Sequence, residues 1–349
     1  MRYSRPPFTT ERLLASAEYA RSELPVRLAK RVVAFQRLPF IVGTNPHISA
    51  VYKLYVDAFE RLRVFSSPIK DLEMERQFTI ALDKQTESLI GIIPRLAQGF
   101  IECKKYINPA EISAFLDELI HARIGLRLIG EQHVALHHDV HAKERVRRND
   151  NFIGIIDTRL NPATLLENCA NHVHEVCERN YGIAPEFVLK GHVNSTFQYI
   201  PTHLNYSIFE VLKNAYRSTV ENSQRLGLSS IPPVELTVAH GGDSVSIRVR
   251  DVGGGIKLAD LSRVFEYSFT TVKHQHQAGP GGIFMGQTQL AMQNGIGGPM
   301  AGLGYGLPMA RIYARYFGGE LTLVNLPGHG VDVFMRLPSL PSESDAIEI

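Results

Sequence analysis

Apolar residues in the first 140 positions recur every three or four residues, which is the spacing of one buried helix face. Four segments show this pattern: residues 11–36, 48–64, 72–106 and 109–139. Short turn-rich stretches separate them, and Pro25 predicts a break or kink within the first segment. Four amphipathic helices with short connections predict an antiparallel four-helix bundle.

The pattern changes after residue 150, where helical and strand periodicities alternate. Helices are predicted at residues 160–180, 203–222 and about 304–317, and β-hairpins at 234–240 with 244–250 and at 320–326 with 331–337. Helices over a mixed, largely antiparallel sheet form an α/β sandwich. The predicted fold class is therefore α+β with two domains.

The charged, non-periodic stretch at 141–151 predicts the domain boundary. We expect the helical bundle over residues 8–145, the α/β domain over residues 150–338 and a polar tail over residues 339–349. Glycine use differs between the halves, since residues 1–150 hold 5 of the 28 glycines and residues 241–330 hold 19. This asymmetry predicts that the two halves of the chain have different functions.

Charge and composition exclude several classes of protein. The formal net charge of +2 gives no reason to expect nucleic-acid or membrane-surface binding. No apolar run approaches the roughly 20 residues that span a bilayer. Three cysteines are an odd and sparse set, which is typical of a reducing compartment rather than of a disulfide-stapled secreted domain.

The first candidate site lies on the helix predicted at 203–222. Glu210, Lys213, Asn214 and Arg217 stand at i, i+3, i+4 and i+7, so they share one helix face. Asn supplies a neutral oxygen for Mg²⁺, and Glu can accept a proton. The alternative is an ion pair on a solvated helix face.

Two glycine-rich segments follow. Asp251 opens D-V-G-G-G directly after a predicted strand, and Gly302 opens G-L-G-Y-G-L-P directly before a predicted helix. Glycines let a ligand approach the backbone, and a helix N-terminus presents N–H groups to phosphate. A flexible loop and a helix-capping loop are the respective alternatives. The Gly/Gln-rich stretch 272–300 between them has the length of a lid.

In this order, the motifs E-x-x-K-N-A-x-R, D-x-G-G-G and G-x-G-x-G-L resemble the N, G1 and G2 boxes of the ATPase superfamily of Hsp90, MutL, DNA gyrase and histidine kinases. Residues 24–31, 38–46, 123–127, 267–271 and 306–314 further resemble the mitochondrial 2-oxoacid dehydrogenase kinases, which act on the branched-chain or the pyruvate complex. The similarity covers about residues 8–338.

The resemblance implies a mitochondrial matrix protein kinase that uses ATP, Mg²⁺ and K⁺. It implies phosphorylation, and so inactivation, of a serine on the decarboxylase alpha subunit. It also implies a homodimer whose helical domain is regulatory and binds the lipoyl domain of the acyltransferase core. No nucleic-acid partner and no membrane span are expected. Phosphoryl transfer needs positioning and charge neutralisation more than covalent help, which suits these motifs.

The resemblance also implies residue roles. Glu210 is the general base, with Lys213 beside it, Asn214 is the Mg²⁺ ligand, and Asp251 meets the adenine amine. The remaining nucleotide-lining residues are Arg217, Gly253, Gly255, Thr270, Thr271, Ala301, Gly302, Leu303, Gly304, Tyr305, Gly306 and Leu307. Val264, Glu266 and Phe269 match a K⁺ site. Tyr55, Arg123 and Arg127 match a pocket for oxoacid-type inhibitors, and two arginines at i, i+4 suit a carboxylate.

Three departures from the family pattern, at Val331, at Tyr206 and in the missing tryptophan, together with the segment 38–46, favour the branched-chain enzyme. Tyr206 stands where pyruvate-directed members carry histidine, the chain has no tryptophan, and residues 38–46 match the branched-chain segment. Val331 replaces a family threonine that helps to hold the adenine-site aspartate, which would cost roughly 1 kcal/mol of ATP binding. A pyruvate dehydrogenase kinase and a catalytically weak scaffold bound to the acyltransferase core remain the alternatives.

Three other interpretations are weaker. His133, His137 and His141 stand at helical spacing, but the helix is expected to end near 139 and no Cys or acid completes a zinc set. His133 is not followed by the acid that a histidine-kinase phosphoacceptor needs. A helical bundle placed before the ATPase domain argues against an Hsp90- or MutL-like ATPase that transfers phosphate to water.

Overall fold

The computed structural model describes residues 9–89, 91–141, 151–267, 269 and 304–340. They form two units, one ending at Thr158 and the other running from Arg159 to Leu340. Among the described helices, none combines the length and the apolar character needed to cross a bilayer.

The first unit is helical. Its elements are α1 (Thr10–Gln36), α2 (Phe40–Gly43), α3 (Pro46–Arg63), α4 (Leu72–Ser88), α5 (Ile92–Cys103) and α6 (Pro109–His141), followed by strand β1 (Phe152–Ile153). Helix α1 packs against α3, α4 and α6, while α3 packs against α5 and α4 against α6. The long helices therefore form the predicted bundle, in which α4 and α5 together take the place of the single helix predicted at residues 72–106.

One detail of the helical prediction was wrong, and of the break or kink predicted at Pro25 the structure excludes the break. Residues 72–106 form two helices rather than one, because Gly91 takes a left-handed conformation (φ 74°) at the N-cap of α5 and so turns the chain. Pro25 does not break α1, which is continuous from Thr10 to Gln36. The neighbouring Leu24 and Leu28 are buried in the bundle, and their burial compensates for the backbone hydrogen bond that proline cannot make.

The second unit is an α/β sandwich. Strand β2 (Ile156–Leu160) crosses the boundary, and the residues by which it pairs with β1 belong to the first unit. The helices of the second unit are α7 (Pro162–Tyr181), α8 (Pro201–Leu226), α9 (Leu258–Leu261) and α10 (Gly306–Tyr316). Its further strands are β3 (Phe187–Gly191), β4 (Phe197–Tyr199), β5 (Val234–Gly241), β6 (Ser244–Arg250), β7 (Glu320–Leu326) and β8 (Gly330–Pro338). Five of them form one sheet in the order β3-β5-β6-β8-β7.

The sheet is mixed and largely antiparallel, as predicted. Strand β3 pairs with β5 in parallel, and the pairs β5–β6, β6–β8 and β7–β8 are antiparallel. Helices α7, α8 and α10 pack on the sheet, and α8 lies between the other two. Strands β1 to β4 were not predicted because they are short or half-exposed and lack a clear alternation.

The start of α7 makes a testable contribution to stability. Asn161 accepts hydrogen bonds from the backbone N–H groups of Ala163 and Thr164 (2.8 and 3.1 Å). We predict that Asn161→Ala lowers the unfolding free energy of this unit by about 1 kcal/mol, while Asn161→Asp retains the cap. Urea denaturation measures the difference. Asn180→Ala, in the last turn of α7, is the control, and an equal loss there would contradict the capping explanation.

Candidate functional site

Helix α8 carries a buried ion pair. The Lys213 ammonium lies 2.8 Å from Oε1 of Glu210, and the side chains are only 5% and 11% exposed. Phe209 contributes its ring face at 5.6 Å from Lys213 Nζ. The pair is therefore not the solvated one that the alternative interpretation of this motif described. In low-dielectric surroundings, removal of either charge would leave the other buried without compensation, which is strongly destabilising.

The start of α10 lies directly against this pair. A Cβ atom on Gly306 would meet the carboxylate of Glu210, so any larger residue there would require the Glu210 side chain to shift. Gly304, at φ +79°, has the backbone of Phe269 against it at similarly short range. Among the described residues, no side-chain capping bond is made by the N-cap Tyr305 of α10, and the N-terminus of a helix presents N–H groups that suit an anion.

Asp251 stands just beyond the end of β6 and is 9% exposed. Its Oδ1 accepts hydrogen bonds from the backbone N–H of Gly253 (2.8 Å) and of Val331 (3.2 Å). Burial raises the pKa of Asp251 to about 6, and the two backbone hydrogen bonds oppose that rise only in part. Because the contact from Val331 comes from its backbone, it is available with either valine or threonine at that position.

The glycine loop after Asp251 is held in place by two asparagines. Gly254 and Gly255 both take φ +80°, which other residues rarely adopt. Asn325 of β7 bonds both the N–H and the carbonyl of Ile256 (2.8 Å each), and Asn222 of α8 donates to the carbonyl of Val252 (2.8 Å). The loop is therefore rigidly tied to α8 on one side and to β7 on the other.

These parts enclose a cavity of about 620 Å³. The predicted site residues that line it are Glu210, Lys213, Asn214, Arg217, Asp251, Gly253, Gly255, Val264, Phe269, Gly304, Gly306 and Leu307. The cavity offers a buried carboxylate acceptor, a carboxamide oxygen suited to Mg²⁺, and a helix N-terminus suited to phosphate. Its size and its mixed lining suit one small organic ligand that carries an anionic group.

Some predicted site residues stand apart from the lining. Glu266 is half-exposed and pairs with Arg263 (3.1 Å), and Tyr305 is buried with its ring 5.2 Å from that of Tyr267. The predictions for Thr270, Thr271, Ala301, Gly302 and Leu303 lie outside the described residues.

Several residues that line the cavity, and Asn325 behind its glycine loop, were not predicted from the sequence. Ser218, Asn222 and Arg225 line the cavity at i, i+4 and i+7 on α8, and Arg225 donates to Asn222 Oδ1 (2.6 Å). The same helical spacing that revealed Glu210 could have revealed this second stripe. Asn325, on another strand, carried no sequence signal.

The proposed effector residues lie in the first unit. Tyr55 is fully buried, and its hydroxyl has no hydrogen-bond partner among the described residues. Burial raises the pKa of Tyr55 to about 12, although the charges of Arg123 and Arg31 act in the opposite direction. Arg123 is buried and donates to the carbonyl of Leu89, whereas Arg127 pairs with Glu131 on its own helix. The charges of Arg123 and Arg31 therefore act on Tyr55, whereas Arg127 pairs with Glu131.

The histidines of α6 require a correction. The helix extends to His141 rather than ending near 139, and an acid does complete a set: Glu75 of α4 lies with His137 and His141. Burial by itself would raise the pKa of Glu75, but hydrogen bonds from His133, Thr79 and His137 lower it to about 2. His133 is fully buried, which is the wrong position for a phosphoacceptor.

Comparisons with known proteins agree with both units. Residues 1–157 match the family described as mitochondrial branched-chain alpha-ketoacid dehydrogenase kinase, and residues 200–341 match the histidine kinase-, DNA gyrase B-, and HSP90-like ATPase family. The chain is 33% identical to the mitochondrial pyruvate dehydrogenase (acetyl-transferring) kinase of Arabidopsis thaliana, over 97% of this chain and 88% of that protein. It is 31% and 30% identical to isozyme 4 of that kinase from Rattus norvegicus and Homo sapiens, over 98% of this chain and 83% and 84% of those proteins.

The raised pKa of Asp251 predicts how stability depends on pH. Because the folded-state pKa of about 6 exceeds the ordinary 3.8, the group contributes most stability when protonated, below pH 4, and loses that contribution as the pH rises through 6. Asp251→Asn resembles the protonated form. We expect it to raise the unfolding free energy at pH 7.5 by on the order of 2 kcal/mol and to leave it unchanged at pH 4.

Urea denaturation of wild type and variant at both pH values measures this difference. Asp243→Asn, at the exposed turn between β5 and β6, is the control. An equal effect of Asp251→Asn at the two pH values would contradict the raised pKa of Asp251.

Proposed function

We propose that this chain, which belongs to the mitochondrial 2-oxoacid dehydrogenase kinase family, phosphorylates a serine on the decarboxylase alpha subunit of a 2-oxoacid dehydrogenase complex. Members of the family are ATP-dependent protein serine kinases with an ATPase domain of the histidine kinase, gyrase and Hsp90 type. Phosphorylation would inactivate the complex in the mitochondrial matrix. The observation that carries the proposal is the buried Glu210–Lys213 pair, which faces the start of α10 in the same cavity as Asp251.

We propose the following roles for the cavity. Asp251 accepts the adenine amine, and the N–H groups at the start of α10 bind phosphate oxygens together with Arg217, Thr270, Thr271 and residues 301–307. Asn214 holds Mg²⁺ through its side-chain oxygen, and the ion neutralises phosphate charge. Val264, Glu266 and Phe269 are the proposed K⁺ site.

Glu210 is the proposed base for the substrate hydroxyl, and Lys213 orients it. A carboxylate held by one ammonium keeps its second oxygen for another partner, and Oε2 of Glu210 is the atom that lies nearest the start of α10. A serine hydroxyl brought next to the phosphates would therefore meet a fixed acceptor for its proton.

Pyruvate dehydrogenase is the better supported target. The relatives reported above, which match nearly the whole chain, are named pyruvate dehydrogenase kinases, whereas the branched-chain prediction is supported by a family match over residues 1–157 and by a few positions. One of these, Tyr206, is buried, with its hydroxyl 3.4 Å from Met309 Sδ and its ring 5.1 Å from that of Tyr313. Its environment explains it as a packing residue of α8 and α10, which weakens its value as a marker of substrate.

Transfer of labelled phosphate tests both the activity and the target. We expect the wild type to label the pyruvate decarboxylase alpha subunit on serine, in the presence of the lipoyl-bearing core, faster than the branched-chain subunit. We expect Glu210→Gln to slow transfer about 100-fold or more while ATP binding is retained. Glu235→Gln, on β5 and outside the cavity, is the matched control.

The outcomes separate the alternatives. Faster labelling of the branched-chain subunit would replace pyruvate by the branched-chain complex as the target. Binding of the core without any transfer would favour a catalytically weak scaffold. Release of phosphate to water without labelling of protein would contradict the kinase proposal itself.

We further propose that the helical unit is regulatory, binds the lipoyl domain, and senses a 2-oxoacid beside Tyr55 and Arg123, and that the working enzyme is a homodimer. A buried hydroxyl without a described partner close to a buried guanidinium suits a small carboxylate. Arg127 would join them after releasing Glu131, which stands four residues further along the same helix.

Removal of one oxygen tests the effector pocket. Tyr55→Phe deletes a hydroxyl that has no partner among the described side chains and backbone, so folding should be unaffected. We expect the concentration of 2-oxoacid that halves kinase activity to rise about fivefold or more, in line with the loss of one hydrogen bond to a charged group. Tyr106→Phe, at an exposed position, is the control. Unchanged inhibition would contradict this location of the pocket.

A further inference from the structure

A second cluster of metal-ligating side chains lies in the first unit. His137 and His141 stand one turn apart at the end of α6, and Glu75 faces them from α4. One ligand atom from each residue can be chosen so that all three lie within 4.8 Å of one another. Among the described residues, no other group of three or more His, Cys, Asp or Glu side chains has that geometry.

We propose that Glu75, His137 and His141 bind a divalent transition-metal ion, with zinc as the first candidate, and that the ion joins α4 to the last turn of α6. Imidazole is a preferred ligand of zinc, and two histidines with one carboxylate form a recurrent three-ligand set whose fourth position is taken by water. Mg²⁺ and Ca²⁺ prefer all-oxygen ligands, so this donor set disfavours them.

The distances require only small adjustments. Nδ1 of His137 lies 2.9 and 3.0 Å from the two carboxylate oxygens of Glu75, and the rings of His137 and His141 lie 4.5 Å apart. Ligand atoms around a tetrahedral zinc ion are separated by about 3.3 Å, given bonds of about 2.0–2.2 Å. His137 is only partly buried and His141 is exposed, so both rings can rotate to close the remaining gap.

The least mobile ligand is held by its own hydrogen bonds. Glu75 is fully buried, and Thr79 donates to its Oε1 at 2.8 Å. His133 lies 2.9 Å from Thr79 Oγ1 and 3.3 Å from Glu75 Oε1, and its other ring nitrogen lies 3.2 Å from Ser16 Oγ. Metal sites commonly contain such a chain, in which neighbouring side chains orient a ligating carboxylate.

The alternative is a purely structural ion pair, and His141 separates the two explanations. An ion pair needs only Glu75 and His137, which already contact each other at 2.9 Å. His141 contacts the ring of His137 from the exposed end of α6, and a metal ion would give it a ligand role. Removal of the His141 imidazole therefore weakens a metal site and leaves the ion pair in place.

Metal binding by the full-length chain tests the proposal. The protein is stripped with a chelator, dialysed, supplied with excess Mg²⁺ and ATP to occupy the cavity of the second unit, and titrated with Zn²⁺ against a chromophoric competitor. We expect one equivalent of zinc to bind and to raise the melting temperature. We also expect Co²⁺, when it binds in place of zinc, to show the visible absorption of a cobalt ion that has few ligands, two of them imidazole nitrogens.

Two variants decide the outcome. His141→Gln should weaken zinc binding about tenfold or more and abolish the Co²⁺ spectrum, while Thr79→Val should weaken binding through the loss of the hydrogen bond to Glu75. His138→Gln, which removes the adjacent exposed imidazole, should change neither. No uptake of zinc against the competitor, or equal uptake by wild type and His141→Gln, would overturn the proposal.

Discussion

Two opposite charges buried on α8 constrain much of the second unit. Glu210 and Lys213 have been removed from water, so each must remain within reach of the other, and the helix must place them one turn apart. The start of α10 passes so close to the carboxylate that a side chain at position 306 would require Glu210 to move. Gly306 and Leu307 of its first turn line the same cavity as the pair.

The part of the cavity around Asp251 is held by both main-chain and side-chain hydrogen bonds. Asp251 is held by the N–H groups of Gly253 and Val331, and the loop after it by Asn325. Because main-chain donors do not depend on residue type, the hydrogen bond from the backbone of Val331 is available whichever side chain stands there. Its burial still has a cost, which is visible in its raised pKa: the carboxylate is less well solvated here than in water.

The helical unit treats buried polar groups in two ways. Around Glu75, hydrogen bonds from two helices satisfy the carboxylate and keep it ionised. Around Tyr55, a buried hydroxyl is left without a partner among the described residues. An unsatisfied buried group is costly, and the effector pocket that we propose would give this hydroxyl a partner.

Local patterns in the sequence determined the helices, the two hairpins and the helix face that carries Glu210 and Lys213, because these depend on spacings of two to seven residues. Tertiary structure alone decided the contacts between distant segments. Glu75 meets His137 across 62 positions, and Asn325 meets the loop at Ile256 across 69. It also decided that Glu210 is buried and that β3 joins β5 in parallel. Such features depend on which elements pack together, and no periodicity within one segment records its neighbour in space.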